Sequence, residues 1–448
     1  MKTSLVLINP WIYDFAAYDL WSKPLGLLYI GAYLRDCGFD IHLIDCLNVH
    51  HPMMPGTTSQ RQPKRGLYGT GKFWRNKVPK PLLLKDIPRP YSRYGISPEA
   101  FTAELNIAGR PGAFLVTSLM TYWHLGVKEV IRLVRQNYPD VPVILGGIYA
   151  RLCQDHAVTS SGADYVIADN NALLSLLDNI GLSAPNPIPK ATPYPAFDLL
   201  SRIDYICILT SRGCPYRCSY CASHFLEPAY SRRDPLEVVE EILFWHRHYG
   251  VKDFAFYDDA LLVQSDTHAA KLFEEIAKQA LGIRFHTPNA LHVREISPGI
   301  AILMHRSGFN TIRLGFETAD FSLHHDLDNK VQTGDFEMAV NNLLNAGFAR
   351  KDIGAYLLAG LPGQSVDSVV KTIDFVRRVG VMPYLAEYSP IPHTALWDKA
   401  VESSRYDLTG EPLFHNNTLI PCWDDSQKKE FPKLKQLVLE ARMGVTAC

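Results

Sequence analysis

The sequence has no apolar run approaching the roughly 18 residues that a membrane helix needs, so no spanning segment is expected. It has almost no net charge, because 45 Lys and Arg balance 46 Asp and Glu to leave −1. Nothing in that balance draws the whole molecule to nucleic acid or to anionic lipid. Met1 to Ile8 offers one lysine and a four-residue apolar run before Asn9-Pro10, too little for a secretory leader. Nine cysteines make an odd count and are not spaced as a disulfide framework, so a reducing, cytoplasmic setting is expected. What is present is ordinary: 47% hydrophobic, 20% charged and 11% aromatic residues over 448 positions. That composition excludes wholesale disorder, and the length suggests roughly two to four domains.

Residues 1–190 alternate strands with helices. Leu5–Ile8, Asp40–Asp45, Ala113–Ser118, Val141–Leu145 and Asp164–Ile167 read as strands, with helices at Leu25–Asp36 and about Leu125–Asn137. Continuous apolar strands in that rhythm predict an α/β fold with a doubly wound parallel sheet. Ligands of such sheets sit at the carboxyl ends of strands. Here those ends carry Asn9-Pro10, Asp45-Cys46, Ser118-Leu119-Met120 and Gly146-Gly147.

Residues 47–112 break the rhythm and read as an insertion. From Arg61 to Arg93 they hold ten Lys or Arg and one acid, Asp86, interleaved with Tyr68, Phe73, Trp74 and Tyr91, with Tyr94 just beyond. One reading is a basic aromatic arm that closes over an anionic ligand or touches RNA. The other, which is favoured, is a solvated insertion that wraps its own domain and packs its aromatics there. A proline-dense stretch at 181–198 (Pro185, Pro187, Pro189, Pro193, Pro195) reads as a linker, and a domain boundary is expected at about 190.

Beyond it, strands are expected at Tyr205–Thr210, Asp253–Tyr257, Ile283–His286, Thr311–Phe316, Ile353–Ala359 and Met382–Tyr388, with helices between them. Six βα units over residues 191–395 predict a partial (β/α)6 barrel with chemistry at the carboxyl ends of its strands. Residues 396–448 remain as a short C-terminal extension with a helix from Ser426 to Arg442.

The first barrel strand runs into Cys214-Pro-Tyr-Arg-Cys218-Ser-Tyr220-Cys221. Three thiolates in one loop can hold three corners of a 4Fe-4S cubane and leave one iron open. A zinc site would want a fourth ligand, which Cys207 or His224 could supply, and three unrelated structural cysteines would be the plainest alternative. The spacing, the aromatic before the third cysteine and the strand-to-loop position favour the cluster.

This motif resembles the signature of the radical S-adenosylmethionine (radical SAM) enzymes. The resemblance continues through Asp258 and Asp259 after the second strand, which look like the segment that meets the methionine of SAM. Family members often carry Gly-Gly-Glu there, so which Asp acts is open. Glu317, in Gly315-Phe316-Glu317-Thr318, resembles a ribose or methionine contact. Gly360, Pro362 and Gly363, in Leu358 to Gly363, resemble the adenine side, as does Tyr388-Ser389-Pro390.

The first 180 residues resemble the Rossmann-like cobalamin-binding domain that precedes the barrel in one subgroup. Trp21 to Gly31 matches its opening helix, Ser118 and Leu119 the segment after its third strand, and Gly146 and Gly147 the pair after its fourth. The window Asp45 to His50 lacks a histidine two residues after Asp45, so a bound cobalamin is expected to have no histidine lower ligand.

The resemblance implies a 4Fe-4S cluster on Cys214, Cys218 and Cys221, SAM on Tyr220 and the strand-end residues, and cobalamin in the first domain. It implies reductive cleavage of SAM, hydrogen abstraction by a 5′-deoxyadenosyl radical, and methylation of an unactivated carbon. The alternatives are radical SAM chemistry without methyl transfer, or a cluster-binding sensor. The expected partners are a small-molecule or lipid-like substrate and an electron donor such as flavodoxin or ferredoxin. A transfer-RNA substrate is disfavoured, because the first domain has no second cysteine cluster and no basic domain follows the barrel.

Overall fold

The computed structural model describes residues 3–54, 62–189 and 191–447. They divide into two compact units, 1–204 with 410–414, and 205–409 with 415–448.

The first unit is built on five parallel strands: β1 Ser4–Asn9, β2 Asp40–Asp45, β3 Ala113–Val116, β4 Val143–Leu145 and β5 Tyr165–Val166. Their order is β5-β4-β3-β1-β2. Both faces are covered, and the strand period shows why. Val6, Ile8, Phe114, Val116, Val143 and Leu145 point into one cluster with Phe101, Leu105, Val127, Val130 and Val134. The alternate residues Leu5, Leu7, Ala113, Leu115 and Ile144 point into the other, with Leu27, Leu34 and Leu177. Successive residues thus serve opposite cores, so the strands read as unbroken apolar runs. The order reverses between β1 and β3, and the crevice outside their carboxyl ends is the place where such sheets hold ligands.

The insertion has more structure than its composition suggests. Ile12–Asp14, Arg75–Lys77 and Ser92–Tyr94 form a three-stranded antiparallel sheet, and Tyr18–Asp19 pairs with Gly71–Lys72. Phe73, Trp74, Tyr91 and Tyr94 are all at most 5% exposed, and Phe73 and Tyr94 pack with Ile12, Ala17 and Leu47. The aromatics therefore anchor the insertion to its own unit, and the cations Arg75 and Lys77 are left outside.

This unit runs past the proline-dense linker to Asp204. Ala196 N–H donates to Leu28 O, and Arg35 pairs with Asp198 at 2.6 Å, so residues after the prolines are tied back to the opening helix, α1, Leu25–Asp36. Prolines extend a chain but do not stop its flanks from packing.

The second unit has six parallel strands in chain order: β6 Ile206–Ile208, β7 Asp253–Phe256, β8 Arg284–His286, β9 Phe309–Glu317, β10 Ile353–Ala359 and β11 Met382–Glu387. β6 and β11 stay as edges, so the barrel is partial. An aromatic core packs its strands against a helix: Phe254, Phe256, Phe285 and Phe309 of the strands and Phe273 of the helix Ala269–Gln279 are each at most 5% exposed. The helices between strands start and stop by ordinary chemistry. Pro235–Tyr249 is capped by Asp234 and ends at left-handed Gly250, and Val366–Val379 is capped by Ser365 and ends at left-handed Gly380. Asp425–Ala447 is one long helix, longer at both ends than its sequence pattern predicts. Arg442 on it donates to Pro383 O at 2.7 Å and lies 3.8 Å over the Tyr384 ring, so the C-terminal segment is part of this unit.

Candidate functional site

The loop after β6 turns at Gly213, whose φ of +72 only glycine adopts freely; a Cβ there would lie 2.7 Å from Ala229 O. Cys218 is buried, and Cys214 and Cys221 are partly so. Cys221 N–H donates to Cys218 O, closing a tight turn, and Ser219 donates from N–H and Oγ to Leu327 O. Burial pushes the Cys214 and Cys221 thiols up to about 11, and Cys218 also upward against the opposing charge of Lys330. Three thiols with no carboxylate hydrogen-bonded to them among the described residues suit a metal cluster, whose charge would make thiolates of them. Cys207 is wholly buried inside β6, the strand that precedes the loop, and His224 is half-buried on the short helix that follows.

A buried polar cluster lies beside these thiols. Lys330 Nζ donates to Tyr220 Oη at 3.2 Å and stands 3.7 Å from Glu317 Oε1. His292 Nε2 is 4.0 Å from Cys214 Sγ, and burial with the nearby Lys330 lowers its pKa to about 3, leaving it neutral. Sequence reasoning found Tyr220 and Glu317 but neither Lys330 nor His292. No spacing marks Lys330, and His292 stands on a two-residue strand, Leu291–His292, that pairs with β9. Glu317 ends β9 at a register shift, with φ +66. A side-chain-bearing residue held there is strained, and such strain concentrates at ligand sites. Burial raises its carboxyl pKa, with Lys330 opposing. Its charged partner is Lys330. The nearby Arg313 turns to the Tyr384 hydroxyl and ring instead.

The two adjacent aspartates separate cleanly. Asp258, 2% exposed, accepts from Thr210 N, Thr210 Oγ1, Ser211 N and Ser211 Oγ at 2.5–3.1 Å. It clamps the start of the cysteine loop and has no free face. Asp259 is exposed and accepts from Ser223 Oγ, two residues past Cys221. Of the two, only Asp259 is open to solvent.

After β10, Gly360 (φ +97) and Gly363 (φ +75) bound the turn around buried Pro362. Gln364, missed in the sequence, braces it: Oε1 accepts from Gly360 N and Leu361 N, and Nε2 donates to Leu358 O.

In the first unit, Ser118 Oγ donates to Gly146 O at 2.7 Å, linking the ends of β3 and β4. Gly147 has φ +92, and a Cβ there would strike Ser118 O at 2.3 Å. Gly146 opens on a narrow cleft walled by Leu27, Leu115, Thr117, Ile167 and Leu173. At the crossover between β1 and β3, Pro10, Leu47, Leu119, Met120 and Trp123 line a shallow hollow. Two small hollows thus lie at the carboxyl end of this sheet, one beside the glycine pair after β4 and one at the β1–β3 crossover. The nearest histidines after β2 are already engaged, His50 with Asp204 at 2.6 Å and His51 with Glu104 at 2.9 Å.

The radical SAM superfamily model matches residues 208–376. An uncharacterized methyltransferase of Pyrococcus horikoshii is 25% identical over 221 residues, 47% of each chain. The cytidylyl-2-hydroxyethylphosphonate methyltransferase of Streptomyces wedmorensis is 24% identical, covering 84% of this chain and 77% of its own. Among the curated relatives with the strongest matches, the chain spans about half of their length. The radical SAM methyltransferase TsrM of Kitasatospora setae, solved with cobalamin and a 4Fe-4S cluster bound, superposes with a TM-score of 0.63 at 17% identity, over 90% of this chain and 78% of that one. No helix among the described residues is long and apolar enough to cross a membrane. The three-cysteine loop at the mouth of the partial barrel thus lies within the segment, residues 208–376, that matches the radical SAM superfamily, and the fold around it is like that of TsrM.

Proposed function

We propose that the chain is a cobalamin-dependent radical SAM methyltransferase acting on an unactivated carbon. The observation that carries this reading is the gathering of Cys214, Cys218 and Cys221 at the carboxyl end of β6, in a chain whose first unit also keeps the Ser118, Gly146 and Gly147 crevice. When bound, the cluster supplies the electron that cleaves SAM, and cobalamin carries the methyl group.

The chain's own residues have separable tasks. Cys214, Cys218 and Cys221 would hold the cluster through their thiolates. Asp259 and Glu317 accept hydrogen bonds from its ammonium or ribose, and Tyr220 and Lys330 set the orientation of Glu317. Gly360, Pro362 and Gly363 let the backbone approach adenine. Ser118, Leu119, Gly146 and Gly147 would receive cobalamin. A cytoplasmic setting, a flavodoxin or ferredoxin as reductant and a small-molecule or lipid-like substrate complete the reading.

The test is anaerobic reconstitution with iron, sulfide and hydroxocobalamin, then reduction with SAM carrying a deuterated methyl group. The expected results are one cluster per chain, stoichiometric cobalamin and release of 5′-deoxyadenosine or S-adenosylhomocysteine. Cleavage of SAM without bound cobalamin would refute the methyltransferase reading and leave rearrangement or ring formation. A chain that neither binds nor cleaves SAM would sink the enzyme reading altogether.

A further inference from the structure

Away from the crevice, three metal-ligating side chains of the first unit face one another. His124, His156 and Glu411 each offer a donor atom, and these atoms all lie within 4.8 Å of one another. They come from three separate segments. His124 opens the helix His124–Asn137 after β3, His156 lies on Gln154–Ser160 after β4, and Glu411 belongs to the 410–414 strip that completes this unit. The two imidazoles stand edge to face, 4.8 Å between ring centres.

We propose that this triad is a binding site for a divalent transition-metal ion, Zn2+ in the first instance, held by two histidines and one carboxylate. Two neutral imidazoles and a glutamate are a known zinc donor set with one place left for water. Bonds of about 2.0–2.2 Å need donors drawn closer than they stand here, a side-chain adjustment within reach of rotamer shifts.

Four details favour a metal over a simple ion pair. His124 Nε2 and Glu411 Oε1 are already 3.0 Å apart, so two of the three donors are at ligand spacing. Glu411 is oriented by Leu413 N–H, which donates to the same oxygen at 3.0 Å. His156 Nδ1 lies 2.7 Å from the Tyr149 hydroxyl, whose ring is 1% exposed. When Nδ1–H donates to that oxygen, the Nε2 lone pair is left for a cation, the outer-shell arrangement that metal-binding histidines use. Finally, one carboxylate cannot neutralise two imidazolium ions held face to edge, whereas one divalent ion satisfies both rings as neutral ligands. His124 is buried, but His156 and Glu411 are half-exposed, which gives the ion a way in. Binding replaces the hydrogen bond between His124 and Glu411 and releases a proton wherever a ring was charged. The ion would rivet three segments distant in sequence.

The experiment uses the full chain with its iron–sulfur cluster in place, titrated anaerobically with Zn2+ against a competing chromophoric chelator. We expect one equivalent bound with a dissociation constant below about 1 μM. X-ray absorption at the zinc edge should show two imidazoles and oxygen, without sulfur. His156→Asn should weaken binding at least a hundredfold, and Tyr149→Phe about 10–100-fold. Glu411→Gln provides a second ligand variant should His156→Asn fold poorly, and circular dichroism checks both. Sulfur in the zinc shell would place the ion on the cysteine loop and overturn the proposal. So would affinity unchanged in His156→Asn and Glu411→Gln, or no binding tighter than about 1 μM.

Discussion

Replacing Asp258 and Asp259 one at a time by asparagine should produce two different defects, although the residues are adjacent. Asp258 holds two backbone N–H groups and two hydroxyls of Thr210 and Ser211. Asparagine can keep one carbonyl oxygen where Oδ1 stands, so the bonds become neutral. A hydrogen bond to a charged group contributes about 1.5–3 kcal/mol and a neutral one about 0.5–1.5. The hydroxyls can rotate, but the two N–H groups cannot, so about 2–3 kcal/mol is lost. Burial already raises the Asp258 pKa, which means desolvation offsets part of the charged bonds and favours the lower figure. In a unit of this size 1 kcal/mol shifts Tm by about 2–4 °C, so Asp258→Asn should melt about 4–12 °C lower. Asp259 is exposed and holds only Ser223 among the described contacts, so Asp259→Asn should leave Tm within about 2 °C. Its cost should fall on SAM, at about 10–100-fold in Kd for one charge-assisted bond. The assay is anaerobic calorimetry and SAM binding on cluster-loaded protein. Unchanged Tm with weakened SAM binding in Asp258→Asn would refute the assignment of Asp258 to the loop clamp.

Glu317→Gln should weaken SAM binding by roughly 10–100-fold with the cluster intact, whereas a lowered Tm at unchanged affinity would make Glu317 structural. Gln364→Ala leaves two N–H groups and one carbonyl of the Gly360 turn without their partner, so Tm should fall by several degrees, measured by calorimetry. Iron content and the cluster's absorption should vanish when Cys214, Cys218 and Cys221 are replaced together by Ala, yet survive Cys207→Ala. His324 Nδ1 lies 3.0 Å from Asp328 Oδ1; burial lowers the His324 pKa, but Asp328, helped by Thr318 O and Glu317, raises it overall. A raised pKa contributes stability that is complete below the unfolded value of 6.5 and lost as pH rises through the folded one. His324→Gln should therefore flatten Tm against pH above about 6.5, and an unaltered profile would refute the pairing.

Much of the architecture is legible in the chain because its strands serve two cores at once. Ile353–Ala359 could be bounded from its apolar run alone, and the cysteine loop is marked by its own spacing. Reading stops where function depends on which way a side chain turns. Asp258 and Asp259 look alike in sequence, and only the turn after β7 sends one inward and the other out. Lys330 follows a short helix with no periodic signal, yet the fold brings it to Tyr220 and Glu317. The insertion hides its strands for a different reason. Arg75–Lys77 is exposed throughout and makes a paired strand without any apolar alternation.

The strip 410–414 has a consequence for biosynthesis. It belongs to the first unit, but the chain reaches it only after the whole second sheet has been made. On the ribosome the first unit thus waits, with His124 lacking Glu411, for about 200 further residues, 10–40 s at ordinary elongation rates. A nascent chain stalled at Asp204 should carry an open seam at His124 and Tyr149 that closes only with the late arrival of that strip. Proteolysis of stalled chains of increasing length would time the closure.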